Sequence, residues 1–185
     1  MIQWAVFVSG QGTNLQNFLN LEQDKKLKQN SIVAVHADKK CPAIERAKRA
    51  KKEIFIYSPK QSDYESRLLE FLKQSKVDRI FLLGFMRILP APFIKTWAEP
   101  IINIHPSLLP KYKGLNAIER AYQDNEKLVG VSLHEVTPEL DSGLVLRQSQ
   151  LERLESDSLE SLTERMHQLE YKIVREYLFD LESRS

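Results

Sequence analysis

Asn103 and His105 are the first residues in this chain whose types and spacing point to chemistry. They lie in Ile101-Ile-Asn-Ile-His-Pro-Ser-Leu-Leu-Pro110. Alternation along an extended segment puts Ile102 and Ile104 on one face and Asn103 and His105 on the other. Pro106 cannot donate a ladder hydrogen bond and biases His105 towards extended geometry, so a strand should stop there. A carboxamide can donate to an oxygen that is gaining charge, and a neutral imidazole can exchange a proton near pH 7. The alternative is a polar strand end facing solvent, with His105 merely capping.

A second stretch, Ser9-Gly-Gln-Gly-Thr-Asn-Leu-Gln16, follows an apolar run from Trp4 to Val8 and opens a helical pattern through Leu15, Phe18 and Leu19. A glycine-rich turn between a strand and a helix can hold phosphate, because backbone N–H groups and the positive dipole end converge there. The spacing matches neither the P-loop nor the dinucleotide fingerprint. A plain turn with Thr13 or Asn14 as N-cap is the alternative. Gly84-Phe-Met-Arg-Ile-Leu-Pro90 could floor a pocket for a flat heterocycle, or pack under a sheet edge. His134 sits on the polar side of an alternating strand, as a site residue or a structural histidine. In Thr137-Pro-Glu-Leu-Asp-Ser-Gly143, Glu139 reads as a solvated charge and Asp141 as a turn stabiliser.

The elements that must position these residues alternate. Strands are expected at Trp4–Val8, Ser31–Ala37, Ile54–Tyr57 and Arg79–Leu83, with helices at Pro42–Lys52 and Ser62–Gln74 between the later ones. After the 101–105 strand come a helix at Asn116–Asp124, strands at Val129–Val136 and Val145–Leu151, and a long helix over Ser158–Leu181. Its apolar stripe is Leu159, Leu162, Met166, Leu169, Ile173 and Tyr177, with Glu170 beside it as a solvated charge. The expectation is an α/β fold, a mostly parallel Rossmann-like sheet with helices on both faces. Ligands of such sheets sit beyond the C-terminal strand ends, where Ser9, Gly84 and His105 fall.

The chain's 185 residues suit a single domain spanning 1–185. At 42% hydrophobic and 28% charged it has the make-up of a soluble globular protein. A net charge of +2 gives no case for nucleic acid or a membrane surface. The lone Cys41 excludes an internal disulfide framework and a multi-cysteine metal site, and suits a reducing cytoplasm. The apolar start is too short for a spanning helix and lacks a basic flank, so no leader is expected.

Taken together, Ser9–Gln16, Gly84–Leu89, Asn103-Ile-His-Pro-Ser-Leu-Leu-Pro-Lys111 and Glu139-Leu-Asp-Ser-Gly143 resemble the glycinamide ribonucleotide formyltransferase family, folate-dependent transformylases of purine biosynthesis. The resemblance runs from about Ala5 to Tyr177 and implies the formyltransferase fold. It implies that Asn103, His105 and Asp141 are catalytic, with Asp141 raising the imidazole pKa. Gly12, Thr13 and Asn14 would hold the ribonucleotide phosphate and Glu170 the glycinamide part. Met86, Arg87, Ile88 and Leu89 would line a pterin pocket with their backbone, opposite Thr137, Pro138, Glu139 and Leu140. The implied co-substrate is 10-formyltetrahydrofolate, with no metal, acting on small molecules as a monomer or homodimer. A 10-formyltetrahydrofolate hydrolase, a formyltransferase for another amine, or a non-catalytic binding module would share parts of this pattern. The chain departs from the family at Asn116–Glu119, where a His-rich segment is common, and at Asp141-Ser-Gly-Leu144, where Asp-Gly-Gly-Pro is frequent. Gln61 lies near where an Arg often touches the folate.

Overall fold

Apolar runs set the sheet. The computed structural model describes residues 1–183. In chain order it has β1 (Ile2–Val8), α1 (Thr13–Gln23), β2 (Asn30–Ala37), α2 (Pro42–Arg49), β3 (Glu53–Ile56), α3 (Tyr64–Gln74), β4 (Arg79–Leu82), α4 (Ala91–Thr96), β5 (Ile101–His105), α5 (Ala117–Gln123), β6 (Leu128–Glu135), β7 (Val145–Glu152) and α6 (Leu159–Ser183). The strands form one sheet in the order β3-β2-β1-β4-β5-β6-β7. β3 to β5 run parallel, and β6 and β7 add antiparallel at one edge. The expected mostly parallel α/β architecture is therefore present, with one helix more than expected. That helix, α4, follows Pro90 and carries Pro92 in its first turn, where a missing N–H leaves no hydrogen bond unmade.

The central strands are buried on both faces. Trp4, Val6, Val8, Phe81, Ile102 and Ile104 enter a core closed by residues of α1, α2, α5 and α6. Ala5, Phe7, Ile80, Leu82 and Ile101 enter a second core closed by Tyr64, Leu68 and Leu72 of α3 and Phe93 of α4. Alternation therefore puts Asn103 and His105 on the side of α3 and α4. Strand order reverses between β1 and β4, and the crevice beyond their C-terminal ends is where such sheets bind ligands. The Ser9 amide donates to the Gly84 carbonyl there (3.1 Å), and the Ser9 hydroxyl accepts from the Met86 amide (2.8 Å).

Two local expectations need correction. Gly12, at φ 70° and ψ 34°, is the N-cap of α1, and no side chain caps it, so neither Thr13 nor Asn14 has that role. A Cβ at Gly12 would lie 2.5 Å from the Ala43 Cβ, so glycine is needed for both the left-handed backbone and the approach of α2. Glu170 is not a solvated charge. It is buried in the α6 seam with Leu162, Met166, Ile173 and Val174, whereas Leu159, Leu169 and Tyr177 are only partly covered.

His36 on β2 is fully buried between Phe7, Phe55, Tyr64 and Phe85. Its Nδ1–H donates to the Phe55 carbonyl (3.0 Å), which leaves Nε2 to accept from the Tyr64 hydroxyl (3.0 Å). Burial pulls its pKa down to about 4, against smaller upward pushes from the Phe55 bond and the Asp38 charge. The unfolded chain therefore binds the proton first, so this stabilisation is complete above pH 6.5 and is lost as pH falls towards 4. We expect chemical denaturation of wild type and His36→Gln across that window to differ in pH slope, with the wild type losing roughly 3 kcal/mol more. Parallel slopes would show that His36 titrates normally.

Candidate active site

Strand β5 presents Asn103 and His105 on one face, and β6 pairs with it so that His134 lies opposite Asn103. The segment after β6 folds back over that face and brings Asp141 onto both rings. Asp141 Oδ2 is 3.5 Å from His105 Nδ1, and Asp141 Oδ1 is 3.4 Å from His134 Nε2. The Gly114 amide donates to Asp141 Oδ2 (2.8 Å). Asp141 itself adopts φ 46°, a backbone strain that this anchoring holds in place.

The hydrogen bonds fix the tautomers. His105 Nε2–H donates to the Tyr112 carbonyl (2.9 Å), leaving Nδ1 towards Asp141. His134 Nδ1–H donates to the Glu135 carbonyl (2.8 Å), so in the neutral ring Nε2 accepts from Asn103 Nδ2 (3.0 Å). One amide hydrogen of Asn103 is thereby held and the other is left to donate elsewhere. His134 thus orients Asn103, a role for which the sequence offered only its place on the polar side of β6. The Tyr112 carbonyl and the Gly114 amide are main-chain groups, and no residue-type signal could have marked them.

Charge follows from burial and these bonds. Burial pushes the Asp141 carboxyl up, but the His134 contact, the Gly114 amide and the two imidazoles outweigh it and hold it at about 2. For His105, burial is the largest influence and lowers the pKa, the Tyr112 bond and the Asp141 charge push it up, and His134 and Arg120 push it down. The net shift is downward. The Asp141 carboxylate does push the imidazole up, as expected of it, and desolvation exceeds that push.

A second group forms where β1 meets α1. Gly12, Thr13 and Asn14 bring the first amides of α1 to the crevice, and Asn14 Nδ2 donates to Glu170 Oε2 (2.8 Å). Burial raises the Glu170 carboxyl, with Asn14 and His167 opposing it. Asn14 Oδ1 is buried with no protein partner. A third group is the loop after β4. Met86 and Ile88 are 66% and 73% exposed while Leu89 is buried. The Met86 amide donates to the Ser9 hydroxyl, and no hydrogen bond among the described residues engages the Met86 carbonyl or the main chain of Arg87, Ile88 and Leu89. The Arg87 side chain turns to the buried Asp38 (2.8 Å). Thr137, Pro138, Glu139 and Leu140 precede Asp141, and Leu140 is half exposed. No hydrogen bond among the described residues joins this loop to the one after β4.

A family model described as formyl transferase matches residues 2–178. The chain belongs to the formyl transferase family. A phosphoribosylglycinamide formyltransferase of Bacillus subtilis is 31% identical over 176 residues, covering 93% of this chain and 90% of that protein. The trifunctional purine biosynthetic protein adenosine-3 of Drosophila melanogaster is 36% identical over 179 residues, which are 90% of this chain but 13% of that protein. The crystal structure of glycinamide ribonucleotide transformylase 1 from Geobacillus kaustophilus superposes with a TM-score of 0.92 at 33% identity, covering 98% of this chain and 99% of that one. The formyl transferase match encloses every residue of the three groups above. Among the described residues there is no set of three or more His, Cys, Asp or Glu side chains that could hold a metal, and no helix long and apolar enough to cross a membrane.

The tautomers can be read directly. Ring-nitrogen NMR at neutral pH should find His105 protonated at Nε2 and His134 at Nδ1. Asp141→Asn should lower the His105 titration midpoint further, because it removes an upward influence. A midpoint that rises in Asp141→Asn would contradict this electrostatic account.

Proposed function

We propose that this formyl transferase moves a formyl group from 10-formyltetrahydrofolate to the amine of glycinamide ribonucleotide. The observation that carries the reading is that Asp141, distant in the chain, is brought against His105 on the face that also carries Asn103. The names and near-complete coverage of the Bacillus and Geobacillus relatives support the same substrates. In this reading residues 1–185 work as one cytoplasmic domain, as a monomer or homodimer, on small molecules.

The residues divide the work. The amine nitrogen attacks the formyl carbon, a C–N bond forms, and the carbonyl electrons move onto oxygen. The free N–H of Asn103 donates to that oxygen, and His134 keeps the amide turned the right way. His105 rests neutral and takes the amine proton at Nδ1. The resulting cation faces the Asp141 carboxylate on one side and the Tyr112 carbonyl on the other. The oxyanion collapses, the bond to the folate nitrogen breaks, and that nitrogen receives the proton. Asp141, ionised down to about pH 2, stays an anion throughout.

Binding uses the other two groups. Gly12, Thr13 and Asn14 would take the phosphate at the α1 N-terminus, and Glu170, held by Asn14, would engage the glycinamide end. The backbone from Met86 to Leu89 would hold the pterin on one side, with Thr137 to Leu140 on the other.

Tetrahydrofolate release, assayed with and without glycinamide ribonucleotide, tests the reading. Release should require the amine. His105→Ala should abolish it in a folded protein, and Asn103→Ala should slow it by about 10²–10³, the usual effect of losing one oxyanion donor. Release without the amine would instead make the protein a hydrolase. A fully active His105→Ala would remove the proton-transfer role.

A further inference from the structure

We propose that Arg46 is a positioning residue for phosphate recognition: its Nε–H holds the Gln11 carbonyl, so that this oxygen does not turn towards the anion. The inference rests on reading residues 10–14 as the phosphate site.

The carbonyls of Gly10, Gln11 and Gly12 are each taken within the protein. The Gly10 carbonyl accepts from the Ala43 amide at the start of α2 (3.2 Å), and the Gly12 carbonyl from the Gln16 amide (2.9 Å). The Gln11 carbonyl has no backbone donor among the described residues. It accepts from Arg46 Nε instead (2.8 Å), and the same guanidinium reaches Gln16 Oε1 through Nη1 (3.2 Å). In contrast, no carbonyl or side chain among the described residues accepts from the amides of residues 10–15. Such a run of free amides is a nest for an anion. Asn14 Oδ1, buried and unpartnered in the same turn, is a further polar atom that the protein alone leaves unsatisfied.

The weak point of this nest is the peptide between Gln11 and Gly12. Gly12 sits at φ 70°, and glycine tolerates positive and negative φ about equally. A flip of that peptide would meet little backbone resistance. It would turn the Gln11 oxygen towards the phosphate and its successor's amide away. Packing of Ala43 against Gly12 fixes the position of the loop but not the sense of this peptide. The donor that selects the sense is Arg46, a half-buried residue one turn into α2.

Three variants separate a pin from a charge. Gln carries its amide nitrogen the same number of bonds from Cα as Arg carries Nε, so Arg46→Gln keeps the donor and loses the charge. Arg46→Lys keeps the charge and loses that donor position. The readout is KM and kcat for glycinamide ribonucleotide, for its dephosphorylated counterpart, and KM for the formyl donor. Arg46→Ala should raise KM for the phosphorylated amine about 10- to 100-fold, the range for a lost bond to a charged group. Its kcat, its KM for the formyl donor and its use of the dephosphorylated amine should stay near wild type. Arg46→Gln should recover most of the loss and Arg46→Lys little. An unchanged KM in Arg46→Ala, or full recovery by Lys with none by Gln, would overturn the proposal. So would an equal loss on both amines. A wild-type enzyme that uses both amines equally well would instead refute the phosphate reading, and that needs no variant.

Discussion

The Asp141 carboxylate accepts from the Gly114 amide and faces the rings of His105 and His134, so its ionised state joins the loop after β5, the strand β6 and the segment after β6. Both imidazoles and the carboxylate are almost wholly removed from water, which sharpens the attraction between them and penalises any unpaired charge. The arrangement answers this with main-chain partners: each ring gives its one hydrogen to a carbonyl and leaves its lone pair on the side where a proton or an amide must be met. The result is a buried cluster in which His105 Nδ1 faces the carboxylate and His134 Nε2 meets the Asn103 amide.

The sheet distributes the remaining parts. Asn103 and His105 lie on the side of α3 and α4, whereas Asn14 and Glu170 join α1 to α6 across the other side. A substrate that engages both must lie over the C-terminal rim between β1, β4 and β5. The bond from the Ser9 hydroxyl to the loop after β4 braces this rim at the point where strand order reverses. Antiparallel addition of β6 and β7 then supplies the fold-back segment that a purely parallel sheet would have lacked.

Much of this was legible because burial writes simple patterns. Runs such as Trp4–Val8 and Arg79–Leu83 have the length and composition of strands covered on both faces, and the His105-Pro106 junction marks where one stops. The polar pairing of Asn103 with His105 followed from period two alone. What escaped were features decided by tertiary contact. Helix α4 is short and proline-flanked, so it lacks a periodic signal. Glu170 looked solvated because a carboxylate in a seam is costly unless something meets it, and Asn14, 156 residues away, does so. The direction of the His105 shift depended on weighing desolvation against a neighbouring anion, and depth is not written in residue types. The Gly12 cap leaves no side-chain mark in the sequence, because backbone handedness alone suffices there.

The bond from His105 to Tyr112 ends on a main-chain oxygen. No codon change at position 112 can delete that acceptor; it can only be displaced by re-bending the loop. The side chain there makes contacts of its own, its hydroxyl donating to Asp124 and its ring lying under the Arg120 guanidinium, while the tautomer of the histidine depends on the backbone. A position can thus set the state of a neighbouring histidine through its main chain alone, whatever its side chain does.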